Sequence, residues 1–417
     1  MLCFLFFSVI IYIGVLRTGT AVPHTCRRIG KETLDYLKVS KMMNNICNAV
    51  SQAVILIPSL EPDDRLPAYI RKLEKSGFGT IIVVDDGSGE AFQPIFTEVE
   101  GIDRTVVLHH DVNHGKGVAL KTGYRYILEH LPDVKGIITA DADGQHTVPD
   151  CVRLAEKLAE GERAVYLGSR DFNLPGIPPK SRSGNKITST VFKLFYGVWL
   201  PDTQTGLRAF HREDLPFMIN VGGERYEYEM KVLIACATRK IPMIPVTIET
   251  IYENGKNEGT HFHPIRDSYR IYKVILGGFI RFMGSSLICF LADQLLFNLF
   301  KSWLFPLLGI NLHLNLPLGV HLDNTSLANY TARLFSAVLN FRLNRDLVFK
   351  VKARKGTVWR YAVTAVGIII LSTLGIKALG LIGMAPWLAK LIVDTVLYFA
   401  SYRIQRQWVF KGGTADV

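Results

Sequence analysis

The chain has 417 residues, of which 48% are hydrophobic, and a formal net charge of +11 at pH 7. This length accommodates two domains, and so large an apolar fraction predicts that part of the chain lies in lipid. No motif for binding DNA or RNA accompanies the positive charge, which argues against nucleic acid as a partner and favours a membrane surface or a phosphorylated substrate.

Residues 1–49 precede the first regular pattern of the sequence. Residues 2–16 form an apolar run, and the first basic residue, Arg17, comes after it, which is the reverse of a secretory signal. The positive-inside rule would make this run a reverse signal anchor that leaves the following residues in the cytosol. The alternative is an upstream extension before a true start at Met42 or Met43, and both interpretations stay open.

Residues 50–268 alternate short β-rich runs with amphipathic helical stretches. The predicted strands are Val54–Pro58, Thr80–Val84, Thr105–Leu108, Gly136–Thr139, Ala164–Gly168 and Met243–Ile251. The predicted helices are Arg65–Lys75, Gly117–His130, Pro149–Glu160 and Glu227–Arg239. This alternation predicts an α/β domain whose mostly parallel sheet is covered on both faces. Ligands of such sheets bind at the carboxyl ends of the strands.

Acidic residues follow two of these strands. Asp141 and Asp143 lie two residues apart in IITADADGQH, so both carboxylates project to one side of the extended backbone. Mg²⁺ or Mn²⁺ could bridge them, with Gln145 beside the pair, and stabilise a leaving diphosphate. A solvated turn is the competing interpretation. By itself, VVDDGSG with Asp85 and Asp86 is as compatible with an ordinary turn after a strand as with a ligand-binding site.

The segment HGKG, residues 114–117, opens the second predicted helix. Its backbone N–H groups, the positive end of the helix dipole and Lys116 could hold a diphosphate. A simple helical N-terminus is the alternative. The spacing matches neither the Walker A motif nor the Rossmann dinucleotide pattern, which argues against an ATPase and a dehydrogenase.

Seven segments occur in a fixed order between about residues 53 and 265: IPSLEPDDRL, IIVVDDGSG, HGKGVALKTGY, DADGQH, GSR, SRSGN and DTQTGLRAF. Together they resemble family 2 glycosyltransferases of the GT-A fold and, more narrowly, the dolichyl- or polyprenyl-phosphate sugar transferase branch. That branch has tyrosine, asparagine and glutamate soon after the proline of its first strand, whereas this chain has Leu60, Glu61 and Pro62. The glutamate is therefore shifted by one position.

The resemblance implies a set of donor-binding residues. The nucleotide base and ribose would lie near four of them, Pro58, Glu61, Asp85 and Asp86. The donor diphosphate would lie near Lys116 and Asp141. The metal ion would be held by Asp141, Asp143 and Gln145.

Two arginines, Arg170 in GSRDF and Arg182 in KSRSGN, flank a loop that contains proline and glycine. A phosphate acceptor is already anionic, so it needs cationic positioning more than a general base. Planar guanidinium groups suit this task, and the resemblance implies that both face a lipid phosphate. Two solvated surface arginines are the alternative. The apolar stretch Ile187–Leu200 predicts a helix at a bilayer surface, against a prenyl chain or in the protein core.

The same resemblance places Asp202, Gly206 and Arg208 of DTQTGLRAF near the donor sugar and the acceptor. It places Glu227 and Glu229 of YEYEM there as well. Catalytic roles are assigned to Asp143, Asp202 and Arg208. The implied reaction moves a hexose from a UDP- or GDP-linked donor to a polyprenyl phosphate, with inversion at the anomeric carbon.

Residues 269–413 contain four apolar stretches of about the length that crosses a bilayer: Phe279–Phe300, Ser326–Phe349, Trp359–Leu381 and Trp387–Phe410. Basic residues follow the second and the fourth, which predicts a multi-pass protein of the cell membrane with its catalytic domain in the cytosol. FRLNRDLVFK at residues 341–350 aligns with YRIQRQWVFK at residues 402–411, which indicates two parallel helical hairpins. Trp303–His321 is interrupted by prolines and predicts an external or re-entrant loop. The region resembles the GtrA-like family of small four-helix membrane proteins.

Four charged residues lie within or beside these spans: Asp293, Arg333, Lys390 and Asp394. Because a charged side chain is costly in lipid, we expect these residues either to have a function or to pair with one another. The membrane domain would anchor the enzyme, support a homo-oligomer or assist translocation of the lipid-linked sugar, and the sequence leaves these roles open.

Two other functions compete with a polyprenyl-phosphate transferase. A polysaccharide synthase would carry its glutamine and tryptophan signature in the catalytic domain, whereas the only similar string, Gln405–Trp408, ends the last span. A membrane transporter or lipid-binding protein would carry a non-catalytic transferase-like domain. The intact Asp141, Asp143, Arg170 and Arg182 argue against it.

Overall fold

The structure is a computed structural model that describes residues 40–41, 43–175, 177–249, 264–311, 313–316, 320–352 and 356–411. The expected signal anchor or extension in residues 1–39 lies outside the described residues, as does the end of the last predicted strand. The described residues form two compact units. The first comprises the chain up to Ser169, Thr205–Ile219 and Val246–Glu249. The second comprises Arg170–Gln204, Asn220–Pro245 and the described residues from Pro264 onward. The domain boundary near residue 268 stays a prediction.

A seven-stranded sheet runs in the order β3-β2-β1-β4-β6-β5-β7. Its strands are β1 Ala53–Ser59, β2 Thr80–Asp85, β3 Thr105–His109, β4 Gly136–Thr139, β5 Val165–Arg170, β6 Arg208–His211 and β7 Met243–Ile248. β1 pairs in parallel with β2 and β4, and β2 with β3. β6 is antiparallel to both β4 and β5, so β5 runs in the direction of the first four strands. The mostly parallel sheet is confirmed, and β6 is an addition that the sequence pattern did not predict.

The central strands consist of consecutive apolar residues, with no alternation between apolar and polar positions. Val54, Ile55, Leu56 and Ile57 of β1 are all fully buried, as expected of a parallel strand covered on both faces. The helices of the first unit are α1 Arg65–Lys75, α2 Gln93–Glu100, α3 Lys116–His130, α4 Val148–Ala159 and, after β6, α6 Leu215–Asn220. The bounds of α1, α3 and α4 agree with the prediction to within a residue.

The second unit contains two further helices of the predicted α/β region, α5 Pro179–Tyr196 and α7 Glu227–Arg239. The helix expected over Ile187–Leu200 thus begins eight residues earlier and ends at Gly197, whose φ of +82° is a left-handed helix cap. Phe192 and Phe195 on α5 are buried, whereas Leu194 is exposed. The helix therefore has a packed face and an exposed apolar one.

The membrane region of the second unit is built from four long helices: α8 Pro264–Leu299, α10 Asn324–Leu343, α11 Thr357–Leu381 and α12 Pro386–Ile404. After α8 come a π-helical turn, Phe300–Leu304, and the short α9, Phe305–Leu307. Part of the expected loop Trp303–His321 is instead this helical extension and a hairpin of β8 His313–Leu316 and β9 Val320–Asp323. Among the described residues, the helical stretches Tyr269–Leu307 and Thr357–Leu381 have the length and apolar composition to cross a membrane.

The internal repeat is present in the local structure. Each repeat ends in a π-helical turn, Asn344–Val348 after α10 and Gln405–Val409 after α12. The equivalent residues Asn344 and Gln405 are both buried, and Asn344 Nδ2 donates to Gln405 Oε1 at 3.0 Å. α8 packs with α10 and α11 with α12, which gives the two predicted hairpins.

The charged residues of the spans are paired. Arg333 Nε lies 3.6 Å from Asp293 Oδ2, and Lys390 Nζ donates to Asp394 Oδ2 at 2.7 Å. Serine hydroxyls complete both pairs, because Ser336 donates to Asp293 at 2.9 Å and Ser372 to Asp394 at 2.6 Å. The expected pairing of these charged residues is therefore present, and it lowers the cost of placing them in the spans.

Candidate active site

The strongest concentration of charge in the first unit lies at the carboxyl end of β4. Lys116 Nζ donates to Asp141 Oδ1 at 2.8 Å, and His146 Nε2 lies 3.1 Å from Asp141 Oδ2. Asp143 Oδ1 accepts the backbone N–H of Gln145 at 3.0 Å. The structure thus brings Lys116 of the HGKG motif to the DADGQH motif of Asp141, Asp143 and Gln145. It adds His146, which sequence reasoning missed although it stands in DADGQH.

The two carboxylates differ in their electrostatic surroundings. Burial raises the pKa of Asp141, but the Lys116 ammonium and His146 outweigh burial and hold that pKa well below its usual value. Burial and the charge of Asp141 both raise the pKa of Asp143. Two carboxylates this close repel one another, and a bound cation would relieve the repulsion.

Gly206 of the DTQTG segment lies directly against Asp141. A Cβ atom at Gly206 would fall inside contact distance of both Asp141 carboxylate oxygens. Thr139 at the end of β4 donates through its hydroxyl to the Gly206 carbonyl at 2.8 Å, which holds this close approach. The glycine is therefore a steric requirement of the site. The family resemblance had named Gly206 as a position near the donor sugar and acceptor, but it gave no reason for a glycine there.

The donor set fits a hard divalent cation. Asp141 and Asp143 offer carboxylate oxygens, and Gln145 offers an amide oxygen two residues further. Among the described residues, no group of three or more His, Cys, Asp and Glu side chains could hold a metal ion. Because Mg²⁺ is commonly bound by one or two carboxylates together with substrate phosphates, this set suits an ion that arrives with a diphosphate.

Asp86 organises the HGKG turn. Its Oδ2 accepts the N–H of Gly115 at 2.7 Å, and its Oδ1 accepts the N–H of His114 at 3.1 Å and lies 2.8 Å from His110 Nδ1. Gly115 has a φ of +102°, which explains the glycine before α3. Asp86 thus fixes the backbone beside Lys116, and its contact with a nucleotide stays a prediction.

Asp85 and Ser88 connect the loops that follow β1 and β2. Asp85 Oδ1 accepts the N–H of Ser88 at 2.9 Å, and Ser88 Oγ accepts the N–H of Glu61 at 2.8 Å. Glu61 is exposed with a φ of +49°, and Pro58 lies in register with Val84 across β1 and β2. The four residues assigned to base and ribose therefore lie on these two strands and the loops that follow them.

In the second unit, Arg170 and Asp202 form a two-pronged ion pair. Arg170 Nε donates to Asp202 Oδ2 at 2.7 Å, and its Nη2 donates to Oδ1 at 3.2 Å. The Asp202 side chain is fully buried, whereas that of Arg170 is 30% exposed. A carboxylate engaged in this way suits the orientation of a guanidinium better than the removal of a proton. The catalytic assignment of Asp202 stays a prediction.

Arg182 holds the loop between β5 and α5. Its Nε donates to the carbonyl of Phe172 at 2.8 Å, and its Nη2 donates to the carbonyl of Leu174 at 3.1 Å. Since Phe172 follows Arg170 by two residues, both arginines are tied to one short segment. Phosphate binding by Arg170 and Arg182 stays a prediction.

Arg208 and Glu227 have local partners. Arg208 is buried on β6 in the first unit, and its Nε donates to the Thr205 carbonyl at 3.0 Å, next to Gly206. Glu227 accepts the backbone N–H groups of Glu224 and Arg225 at the start of α7. Burial raises the pKa of Glu227, but these N–H groups outweigh it and lower the pKa.

Two family profiles match the chain. Residues 55–216 match glycosyl transferase family 2, and residues 281–410 match the GtrA/DPMS transmembrane domain. Each match lies inside one of the two domains predicted from the sequence.

Three relatives are similar to part of this chain. An uncharacterized protein of Methanocaldococcus jannaschii is 31% identical over 54% of this chain and 93% of its own length. A UDP-N-acetylglucosamine–dolichyl-phosphate N-acetylglucosaminyltransferase of Methanococcus voltae is 28% identical over 50% of this chain and 89% of the relative. A polyprenol monophosphomannose synthase of Mycolicibacterium smegmatis is 27% identical over 39% of this chain and 63% of the relative.

Proposed function

Since the chain belongs to glycosyl transferase family 2 and carries a GtrA/DPMS transmembrane domain, we propose that it transfers a hexose from a nucleotide sugar to a polyprenyl phosphate. The observation that carries this proposal is the Lys116, Asp141 and Asp143 cluster at the carboxyl end of β4. It combines a phosphate-binding cation with a pair of carboxylates at the sheet edge where ligands of α/β domains bind. Two relatives named for dolichyl-phosphate and polyprenol chemistry support the acceptor class.

Asp141, Asp143 and Gln145 would hold Mg²⁺ or Mn²⁺ together with the donor diphosphate. When bound, the ion neutralises charge on the departing nucleoside diphosphate. Lys116 then has two anionic partners within its reach, the Asp141 carboxylate and the diphosphate. Asp86 keeps the HGKG backbone in the conformation that presents Lys116.

Arg170 and Arg182 would position the acceptor phosphate. A phosphate oxygen attacks the anomeric carbon, the new carbon–oxygen bond forms as the bond to the diphosphate breaks, and the configuration inverts. The attacking oxygen is already ionised, so no side chain has to remove a proton. Asp202 would hold the Arg170 guanidinium in the orientation that the phosphate needs.

We place the reaction at the cytosolic face of a multi-pass membrane domain. Basic residues at the ends of α10 and α12 support this orientation: Arg342, Arg345, Lys350, Arg403, Arg406 and Lys411. The membrane domain anchors the enzyme, and translocation or a homo-oligomer would add to that role. We propose a UDP- or GDP-linked hexose as the donor. Two of the relatives are named for N-acetylglucosamine and mannose, which supports a donor of this class.

The test uses the purified full chain in detergent with polyprenyl phosphate, Mg²⁺ or Mn²⁺, and radiolabelled UDP-glucose, UDP-N-acetylglucosamine or GDP-mannose. We expect label from one donor to enter the organic phase and a chelator to abolish this transfer. Polyprenol without its phosphate is the matched control and should accept no label. If no donor labels the lipid although a nucleotide sugar binds, a different acceptor or a non-catalytic membrane role replaces the proposal.

A further inference from the structure

The two repeats of the membrane domain carry an arginine at the same place in their π-helical turns. Arg345 is the second residue of Asn344–Val348, and Arg406 is the second residue of Gln405–Val409. Both side chains are partly buried, and the residue that follows each of them is exposed. The backbone of the turns is also alike, since Phe349 and Phe410 each donate to the first residue of their turn, at 2.8 and 2.7 Å. The two arginines therefore start from the same local geometry.

The residue that follows the arginine differs between the repeats. Arg345 is followed by Asp346, and it donates to both carboxylate oxygens of this neighbour, at 2.6 and 2.7 Å. Arg406 is followed by Gln407, which has no charge to offer. The first arginine thus forms an ion pair with the next residue of its own turn, whereas the residue that follows the second arginine carries no carboxylate.

Arg406 donates through Nη1 to Tyr402 Oη of the preceding α12 at 3.2 Å, and it also contacts two helices of the α/β region. Its guanidinium carbon lies 4.2 Å from the centre of the Tyr196 ring at the end of α5. Its Nη2 donates to Thr238 Oγ1 on α7 at 3.1 Å. A guanidinium over an aromatic face is attracted by the ring quadrupole, and the planar fork adds directed hydrogen bonds. One residue of the last membrane repeat thus joins α5 to α7.

Other contacts show that α5 is packed against the membrane helices at its C-terminal end. Tyr196 Oη donates to the Ile275 carbonyl of α8 at 2.9 Å, and the rings of Phe195 and Phe279 are 5.2 Å apart. Arg403 of α12 lies against Gly197, where a Cβ atom would be 3.0 Å from its Nη2. The C-terminal end of α5 is therefore held on three sides by the membrane domain.

We infer that Arg406 is a positioning residue for the acceptor phosphate. It fixes the C-terminal end of α5, whose first turn carries Arg182, and Arg182 in turn holds the loop that follows Arg170. A helix transmits orientation over its length, here about 21 Å from Arg182 to Tyr196 at 1.5 Å per residue. The last membrane repeat has Gln407 where the first repeat has Asp346, and its arginine thereby serves the acceptor side of the reaction through its contacts with α5 and α7. This inference rests on the proposed function.

The experiment compares three variants of the full chain. Arg406→Gln removes the guanidinium, and Gln407→Asp supplies the carboxylate that captures the equivalent arginine in the first repeat. Arg345→Gln is the matched control, because it removes the same charge from the same position of the other repeat. Steady-state transfer is measured while polyprenyl phosphate and nucleotide sugar are varied separately.

We expect Arg406→Gln and Gln407→Asp each to raise the KM for polyprenyl phosphate about five- to tenfold, the size of a lost guanidinium–aromatic contact. The KM for the nucleotide sugar and the thermal unfolding midpoint should stay near those of the wild type. Arg345→Gln should leave both KM values unchanged. Equal effects of Arg345→Gln and Arg406→Gln, or an unchanged lipid KM in Gln407→Asp, would overturn the inference.

Hydrogen exchange of the α5 amides supplies a readout that does not depend on turnover. Both Arg406→Gln and Gln407→Asp should exchange faster over Pro179–Tyr196 than the wild type and Arg345→Gln. If the wild type transfers no sugar to lipid, the proposed function is wrong. If the α5 amides of Gln407→Asp exchange as slowly as those of the wild type, the role of Arg406 is wrong, whatever the result for transfer.

Discussion

The two compact units support their functional residues in different ways. In the first unit, Asp86 and Asp141 are held by groups on the loops at one edge of the sheet, the N–H of Gly115 and the ammonium of Lys116. In the second unit, Arg170 and Arg406 are held by a buried carboxylate and an aromatic ring. Residues assigned to the donor thus depend on contacts at the sheet edge of the first unit, whereas residues assigned to the acceptor depend on contacts within the second unit. Substitutions in the two units should accordingly change different kinetic constants.

The largest expected effect is a loss of transfer activity without a loss of stability, caused by a substitution in the first unit. Asp143→Asn removes one of two metal-binding carboxylates, so we expect transfer to fall about a thousandfold because the charge on the leaving group is no longer neutralised. The thermal unfolding midpoint should stay close to that of the wild type. Label transfer to lipid at saturating Mn²⁺ measures the effect.

Glu129→Gln is the control for this loss, since it removes the same charge from an exposed position on α3. Its activity should equal that of the wild type. Full activity of Asp143→Asn would show that the metal is bound elsewhere.

A smaller effect tests the close approach of Gly206 to Asp141. In Gly206→Ala the added methyl group must displace the carboxylate, so the KM for the nucleotide sugar should rise about tenfold while the KM for polyprenyl phosphate changes little. Titration of donor binding in the presence of Mg²⁺ provides a second measurement.

Gly184→Ala serves as the counterpart in the second unit. Gly184 lies in α5 with open space around its Cα, so alanine there should stabilise the protein by about 0.5–1 kcal/mol and leave donor binding unchanged. If both alanine variants weakened donor binding equally, the proposed difference between the units would be wrong.

The smallest effect concerns the Arg170–Asp202 pair in the second unit. Asp202→Asn should raise the KM for polyprenyl phosphate about fivefold, because Arg170 loses the partner that orients it. The free energy of unfolding should fall by about 1–2 kcal/mol, a modest loss since Arg170 is partly solvated. Arg170→Gln combined with Asp202→Asn should be no worse than Arg170→Gln by itself. Additive effects of the two substitutions on the lipid KM would mean that each acts independently.

Local patterns in the sequence were sufficient for much of the fold. The amphipathic period of Arg65–Lys75 and the apolar run Gly136–Thr139 gave these elements their observed bounds. The repeated decapeptides likewise predicted two hairpins that end alike. The four-residue strand β6 and the β8–β9 hairpin were missed. Unlike Gly136–Thr139, these strands mix polar and apolar residues, and so short a mixed stretch does not distinguish a strand from a loop.

The sequence by itself determined which residues carry charge and where the strands that present them end, because periodicity and turn chemistry act over a few neighbouring residues. Only the tertiary structure decided the partners: Gly206 lies against Asp141 across 65 residues, and Arg406 reaches Tyr196 across 210. It also divided the transferase motifs between two units, with Arg170, Arg182 and Asp202 beside the membrane helices. Such contacts depend on packing between distant segments, and no local pattern encodes packing.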